Sequence, residues 1–357
     1  MSDQFVTVQS APDDLAAILY TSGTTGRGKG AMLTHENLSS NALVLKEAWG
    51  WCEGDVLLHA LPLFHVHGLF VASHGALLNG SKMIFLPKFD ADQVLHYLPQ
   101  STVMMGVPTY YVRLLQDERL NQVRCNSMRL FISGSAPLLR ETFDKFQQRT
   151  GHTILERYGM SETTMLTSNP YAGERKGGTV GLALPGVTVR VVNAQEEICS
   201  IDEIGDIQVQ GPNIFQGYWR MPDKTAEEFT EDAYFRTGDV GKFDQDGYLS
   251  IVGRSKDLII SGGYNVYPKE IESVIDDMPE VVESAVIGLA HADFGEAVCA
   301  VIVLRAMTTL DAATVITRLK SQIANFKVPK QVFFVSELPR NTMGKVQKNL
   351  LRQQFQN

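Results

Sequence analysis

The residues with the most evident chemistry lie between Tyr20 and Gly30, a stretch that holds four glycines, four Ser or Thr hydroxyls and two cations. Glycines let backbone N–H groups turn toward an anion, hydroxyls add donors, and Lys29 adds positive charge. The apolar run from Leu15 to Leu19 before it predicts a buried strand, and a helical pattern follows it. We interpret the stretch as a loop that holds nucleotide phosphates. The simpler alternative is a flexible glycine linker.

The Walker loop, G-x-x-x-x-G-K-[ST], is the nearest common phosphate-binding motif. Gly23, Gly28 and Lys29 fit it, but Gly30 stands where the motif requires a hydroxyl for Mg2+. The stretch therefore predicts a phosphate loop of another kind, and a P-loop kinase is disfavoured.

Composition limits the class of protein. The chain has 357 residues, a length that allows two or three domains. Its net charge of −8 argues against a nucleic-acid partner. Its four cysteines have no metal-ligand spacing and are typical of free thiols in a reducing compartment, so we expect a cytoplasmic protein. No apolar run is long enough to predict a membrane span, and the N-terminus lacks the pattern of a secretory signal.

Strands and helices alternate through the first half of the chain. Apolar runs predict strands at 56–60, 82–86, 103–107, 129–132 and 152–157, with helices between them. This order predicts a parallel sheet that is covered on both faces and binds ligands at the carboxyl ends of its strands. The loops after these strands hold His65, residues 133–135 and residues 158–163, so these groups should converge with the glycine-rich loop.

The pattern changes from residue 179. Short β-type runs separated by Gly, Pro and Asp predict a small antiparallel part, and beyond Arg254 the pattern indicates a compact α+β unit. We therefore predict an α/β protein in three parts. These are an αβ part over 1–178 with a doubly wound, mostly parallel sheet, a β-rich subdomain over 179–255, and a small mobile α+β lid domain over 256–357.

Five further motifs follow the glycine-rich loop. They lie at 158–163 (YGMSET), 178–181 (GTVG), 234–239 (YFRTGD), 253–272 and 338–345 (LPRNTMGK). In this order they resemble the adenylate-forming superfamily of acyl-CoA synthetases, luciferases and peptide-synthetase adenylation domains, over nearly the whole chain. The resemblance implies that a carboxylate attacks the α-phosphate of ATP to give an acyl-adenylate and pyrophosphate. A thiol, here CoA, would then displace AMP, with Mg2+ accompanying ATP.

The resemblance also implies roles for single residues. Lys345 would bridge the α-phosphate and the acyl carboxylate, Glu162 would hold Mg2+, and His65 would form a gate between the nucleotide and acyl sites. Lys256 would be the hinge of the lid domain, and Gly263 would line the thiol channel. Away from these motifs, Glu162 would be interpreted as a helix cap and Lys345 as a surface lysine. The nucleotide would be bound by Thr21, Ser22, Gly23, Thr24, Thr25, Gly26, Lys29, Tyr158, Ser161, Asp239 and Arg254.

Arg157, directly before the second motif, bears on the substrate. Relatives that take long or aromatic acids usually have a small residue there, whereas a guanidinium fork suits a carboxylate. Pairing with Glu156 is the simpler alternative, but consecutive strand residues point to opposite faces. We therefore expect Arg157, with Ser133 and Ser135, to bind the distal carboxylate of malonate or methylmalonate, as the resemblance to malonyl-CoA synthetases implies. His67 is a further candidate for the wall of this pocket.

The chain departs from the family pattern in three places. Gly28 replaces the usual proline, and Ser161 replaces the commoner threonine but keeps the hydroxyl. Only about twenty residues precede the phosphate loop, where the family has well over a hundred, so we expect most of the first subdomain to be missing.

Several functions remain open at this point. The alternatives to a malonyl-CoA synthetase are another short-chain acyl-CoA synthetase, an enzyme that loads a separate carrier protein, and an inactive nucleotide-binding fragment. Pyrophosphate exchange would separate the last from an enzyme. The sequence leaves the oligomeric state undetermined.

Overall fold

The computed structural model describes residues 7–21, 28–340 and 345–356. The strands are β1 Leu15–Thr21, β2 Lys29–Thr34, β3 Val56–His59, β4 Lys82–Phe85, β5 Val103–Gly106, β6 Leu130–Ser133, β7 Leu155–Met160, β8 Thr164–Ser168, β9 Leu182–Ala183, β10 Thr188–Val192, β11 Gly205–Gln210, β12 Gly217–Tyr218, β13 Phe235–Phe243, β14 Leu249–Arg254, β15 Ile259–Ser261, β16 Tyr264–Val266, β17 Val281–His291, β18 Gly295–Leu304 and β19 Gln331–Val335. The helices are α1 His35–Ala48, α2 His74–Leu78, α3 Ala91–Tyr97, α4 Pro108–Leu115, α5 Arg140–Thr150, α6 Pro222–Glu228, α7 Pro268–Asp276, α8 Ala312–Lys320 and α9 Lys348–Phe355. None of these helices has the length and hydropathy of a membrane span.

A seven-stranded sheet of order β4-β3-β5-β6-β7-β8-β9 organises the first half of the chain. The pairs from β4 to β7 are parallel, while β8 and β9 add antiparallel pairs at one side. Neighbouring strand residues alternate between two apolar cores: Leu58 and Phe131 belong to one, Leu57 and Ile132 to the other. This confirms the predicted sheet with both faces covered.

Strand β7 extends further than the sequence suggested. A loop was predicted from Tyr158, but Tyr158 to Met160 continue the strand and pair with β8 across a turn at 161–163. The prediction of a loop at Tyr158 is therefore wrong. The cause is the partner strand β8, which the sequence pattern did not predict because its polar threonines interrupt the apolar run.

The glycine-rich loop joins two antiparallel strands, β1 and β2, which pair from Thr21 with Lys29 outward. A Walker loop instead leads from a strand into a helix. The prediction that β1 is buried is wrong, because β1 is the edge strand of a three-stranded sheet, and the Tyr20 side chain is 71% exposed. Thr34 caps α1 through a reciprocal pair of hydrogen bonds with Asn37.

The helical segment between β3 and β4 has two parts. A π-helix, His67–Ser73, runs directly into α2. At its beginning the carbonyl of Gly68 accepts hydrogen bonds from Ser73 Oγ at 2.8 Å and lies 3.0 Å from His59 Nε2. Wide helical turns of this kind often occur at functional sites.

Contacts between Cα atoms divide the chain into two compact units. The first comprises 1–190, 208–237 and 246–249, and the second comprises 191–207, 238–245 and 250–357. The domain bounds at 178 and 255 stay predictions.

Two further sheets follow the central one. A four-stranded sheet has the order β10-β11-β13-β14, and its long strand β13 was not predicted. The second unit contains a sheet of order β16-β15-β18-β17, with β19 parallel to β18. Helices α7 and α8 cover it through Ile271, Ile275 and Val315.

Candidate functional site

Arg157 and Glu156 point to opposite faces of β7, as the alternation of a strand predicts. On one face, Glu156 Oε1 accepts a hydrogen bond from the backbone N–H of Leu138 at 3.0 Å. Ser133 lies level with Glu156 in the parallel pair of β6 and β7, so its side chain shares that face. The structure therefore does not bring Ser133 to Arg157, and Ser133 does not enter the proposal below.

Arg157 is a buried cation with unused hydrogen-bonding capacity. Its side chain is 3% exposed, and among the described residues its Nε and Nη2 have no hydrogen-bond partner. Burial lowers the pKa of Arg157 to about 9, although Tyr111 and Glu156 act in the opposite direction. A buried, incompletely paired guanidinium is costly, and an anion that accepts from both nitrogens would remove that cost.

His67 and Ser135 lie near Arg157, since the charge of Arg157 acts on His67 and the guanidinium approaches Gly134, the residue before Ser135. Ser135 Oγ is 3.3 Å from His67 Nδ1, while His67 Nε2 is buried and has no hydrogen-bond partner within the described ranges. Burial, and then the charge of Arg157, lower the pKa of His67 well below its usual value, so the imidazole is neutral at neutral pH. We call Arg157, His67 and Ser135 the Arg157 cluster. It offers a charged fork and a neutral donor, which suit a carboxylate.

Gly134 allows the guanidinium to sit where it does. A Cβ placed on Gly134 would lie 2.4 Å from Arg157 Cζ, far inside van der Waals contact. The cluster therefore depends on a residue without a side chain at position 134.

His65 lies immediately before the π-helix. Its side chain is half-buried, and its Nδ1 accepts a hydrogen bond from the backbone N–H of His67 at 3.2 Å. The sequence-predicted gate and the Arg157 cluster are thus adjacent along the chain and linked by this bond. The gating role of His65 stays a prediction.

Glu162 and Lys29, predicted to act on phosphate and metal, are linked through Tyr218. Glu162 lies in the turn between β7 and β8, is 4% exposed, and accepts a hydrogen bond from Tyr218 Oη at 3.0 Å. Tyr218 Oη in turn accepts from Lys29 Nζ at 3.3 Å, and this nitrogen lies 4.3 Å from the Tyr218 ring centroid. Tyr218 is a functional residue that the sequence motifs do not include, because the Gly-Tyr-Trp segment around it belongs to none of them.

The other predicted nucleotide contacts of the first unit lie near these groups in the sequence. Thr21 Oγ1 donates to the Lys29 carbonyl at 3.4 Å at the neck of the hairpin. Tyr158 on β7 and Ser161 in the following turn are half-buried. The predicted contacts Ser22, Gly23, Thr24, Thr25 and Gly26 lie outside the described residues.

The second unit holds Asp239, Arg254, Lys256, Gly263 and Lys345. Asp239 is buried on β13 and pairs with Arg254 Nε at 2.7 Å, so the two predicted ribose contacts are brought together. Lys256 lies in a 3₁₀ turn after β14, and Lys345 is exposed. The hinge role of Lys256 stays a prediction.

Gly263 has a conformational reason to be glycine. It follows Gly262 in the two-residue turn between β15 and β16, where φ is +58° and +81°. Such a hairpin turn requires positive φ at both positions. A Cβ at Gly263 would meet no atom within 4 Å. The turn and the predicted thiol channel are thus two separate explanations for this glycine.

Two substitutions separate these explanations. Gly263→Asn should keep the unfolding temperature close to that of the parent, because Asn tolerates positive φ, whereas Gly263→Ala should cost about 1–2 kcal/mol. If Gly263 lines the thiol channel, both variants should slow thioester formation and leave acyl-adenylate formation unchanged. Thermal unfolding and separate assays of the two half-reactions provide the measurement. Parental thioester rates in the Asn variant would restrict this glycine to the turn.

Comparisons with family models and with known proteins point to the same family of enzymes. A family model described as AMP-binding enzyme matches residues 2–219, and one described as AMP-binding enzyme C-terminal domain matches 270–345. The chain is 40% identical to a malonate–CoA ligase of Arabidopsis thaliana, and the match covers 97% of this chain and 61% of that protein. It is 38% identical to a mitochondrial malonate–CoA ligase of Mus musculus, over 95% of this chain and 64% of that protein. The chain thus spans less than two thirds of the length of these relatives.

A solved structure agrees with the fold. The crystal structure of ATP-bound MatB from Rhodopseudomonas palustris is 58% identical to the chain, with a TM-score of 0.97. The match covers all of this chain and 71% of that one. The predicted α/β fold, with a large N-terminal and a small C-terminal part, is confirmed.

Proposed function

The chain belongs to the AMP-binding enzyme family, and from that premise we propose that it is an ATP-dependent malonate–CoA ligase. The observation that carries the choice of substrate is the buried Arg157, whose Nε and Nη2 have no hydrogen-bond partner among the described residues. A dicarboxylate would give this guanidinium a partner at one end while its other carboxylate reacts. The malonate–CoA ligases and MatB among the similar proteins support the same choice.

The proposed reaction has two displacements. In the first, an oxygen of the proximal carboxylate forms a bond to the α-phosphorus of ATP, and pyrophosphate leaves with the electrons of the broken P–O bond. In the second, the CoA sulfur attacks the acyl carbon and AMP leaves, while the thiol proton passes to solvent. Methylmalonate differs by one methyl group and is a second candidate substrate for the same cluster.

In this proposal each nucleotide contact is assigned to a single residue. Lys29 meets the β- and γ-phosphates, Asp239 accepts from the ribose hydroxyls with Arg254 beside it, and Tyr158 lies against the adenine. Lys345 bridges the α-phosphate and the reacting carboxylate, where its positive charge offsets the approach of two anions.

Mg2+ fits the donor set around Glu162. The side chain is a buried carboxylate, and Mg2+ prefers oxygen ligands while keeping several waters. In the described part of the chain, no group of three or more His, Cys, Asp or Glu could hold a metal by itself. A metal held by Glu162 would therefore share its remaining positions with phosphate and water. Bound there, it would neutralise charge on the leaving pyrophosphate.

We place the protein in a reducing compartment, in the simplest case the cytoplasm. The four cysteines are free thiols. Burial raises the pKa of Cys125 to about 12 and that of Cys299 to about 11, so these two thiols are inert at neutral pH.

ATP–pyrophosphate exchange tests the proposed function. Exchange should depend on malonate or methylmalonate and be far weaker with butyrate, and adding CoA should yield malonyl-CoA by mass spectrometry. A matched reaction without acid sets the background. Exchange without thioester formation on CoA would favour an enzyme that loads a carrier protein. ATP binding without exchange under any acid would identify an inactive nucleotide-binding fragment and overturn the proposal.

A further inference from the structure

Four side chains of the first unit form one continuous row of polar contacts, Glu228–Lys29–Tyr218–Glu162. Lys29 Nζ lies 3.5 Å from Glu228 Oε1 and 3.3 Å from Tyr218 Oη, and Tyr218 Oη lies 3.0 Å from Glu162 Oε1. The Lys29 and Glu228 side chains are 20% and 21% exposed, so their pair is partly shielded from water. The Lys29 ammonium thus lies between two carboxylates, one of which it reaches through Tyr218.

Glu228 lies at a position where a carboxylate destabilises its own helix. It is the last residue of α6, where the helix dipole is negative and a carboxylate is unfavourable. Within the described ranges its cationic partners are Lys29 and Lys224, the latter at 3.1 Å. Glu227 also pairs with Lys224, at 2.9 Å, so Lys224 would keep a partner without Glu228. The contact specific to Glu228 is therefore the one with Lys29.

We propose that Glu228 occupies the ion-pair position that a nucleotide phosphate takes on Lys29, and so competes with ATP for this lysine. This inference rests on the proposed function, in which Lys29 meets the β- and γ-phosphates of ATP. A phosphate on Lys29 and the Glu228 carboxylate repel each other, so the two anions compete for the same ammonium. Tyr218 is the positioning residue for Lys29, because its hydroxyl holds the lysine beside Glu162. This hydroxyl is uncharged, so a phosphate that binds Lys29 does not need to displace it.

Competition between Glu228 and phosphate lowers the affinity for ATP, and a single substitution can reveal this effect. Glu228→Gln keeps the shape of the side chain and removes the competing charge. Partly exposed pairs of this kind contribute little, so ATP should bind about two- to five-fold more tightly in this variant. Tyr218→Phe should have the opposite effect and weaken ATP binding several-fold. It keeps the ring under Lys29 but removes the hydroxyl that positions both Lys29 and Glu162.

Titration calorimetry with ATP, without acid or CoA, tests the inference on the whole chain. Glu227→Gln is the matched control, because Glu227 lies on the same helix, carries the same charge and is 65% exposed. It should leave the Kd for ATP unchanged. The effect of Glu228→Gln should shrink when the salt concentration is raised. Should the Gln variant unfold, Glu228→Asp withdraws the carboxylate while keeping the net charge, and should also tighten binding.

The outcomes separate the inference from the function. Wild-type protein that fails to bind ATP would contradict the proposed function itself. Wild-type protein that binds ATP, together with unchanged or weaker binding in Glu228→Gln, would overturn the inference alone. Equal tightening in the Glu227 and Glu228 variants would also overturn it, because the effect would then come from net charge rather than from the contact with Lys29.

Discussion

Replacing Arg157 with glycine is expected to lower kcat/KM for malonate by about 30-fold to several thousand-fold. Truncating one partner of a buried charge pair typically costs about 2–5 kcal/mol, which corresponds to that range. The guanidinium is desolvated before substrate arrives, so its contact with a carboxylate faces little competition from water. Because the glycine variant opens space where the guanidinium was, weak activity on propionate or butyrate should appear. Steady-state kinetics on malonate, methylmalonate and butyrate with both proteins provide the measurement.

Two further variants test whether the geometry of Arg157 matters in addition to its charge. Arg157→Lys keeps a cation but loses the planar fork, and should recover only part of the malonate activity. Gly134→Ala keeps Arg157 and displaces its guanidinium, since the added Cβ would lie 2.4 Å from Cζ. It should also reduce malonate activity. If Arg157→Gly retained the parental preference for malonate over butyrate, Arg157 would not bind the distal carboxylate.

The second large effect is expected at Lys345, which lies in the second unit and is exposed. Lys345→Ala should abolish ATP–pyrophosphate exchange, because no other charge in the proposal lies between the α-phosphate and the attacking carboxylate. The same variant should still convert supplied malonyl-adenylate and CoA to malonyl-CoA, since the proposal assigns the lysine no part in thiol attack.

The control for Lys345 is Lys320→Ala, which removes an exposed lysine from α8 of the same unit. Both half-reactions should remain at parental rates in that protein. Normal pyrophosphate exchange in Lys345→Ala would exclude the assigned role. Loss of both half-reactions, with unchanged unfolding temperature, would also contradict it, because the lysine would then act beyond the first displacement.

The sequence is sufficient for features that depend only on neighbouring residues, such as a helix start or the alternation of side chains along a strand. Helix α7 begins at Pro268 and ends at Asp276, where a proline suits the first turn and the apolar residues recur at helical spacing. The opposite orientation of Glu156 and Arg157 followed from the pleat of a strand alone. These predictions required no knowledge of distant residues.

Features that depend on distant partners were missed. Strand β8 exists because it pairs with β7, and β13 because it lies between β11 and β14. The contact between Tyr218 and Lys29 joins residues 189 positions apart, and no periodicity in the sequence reports it. The sequence therefore suggests site residues where they belong to a family motif, and not where a single side chain such as Tyr218 joins two motifs.

The close approach of Gly134 and Arg157 also constrains how this specificity evolves. If Arg157 binds the distal carboxylate as proposed, an arginine gained at 157 while a side chain occupies 134 would have its guanidinium displaced from that position. Substitutions at 134 and 157 should therefore have effects that depend on each other, with glycine at 134 favoured before arginine at 157.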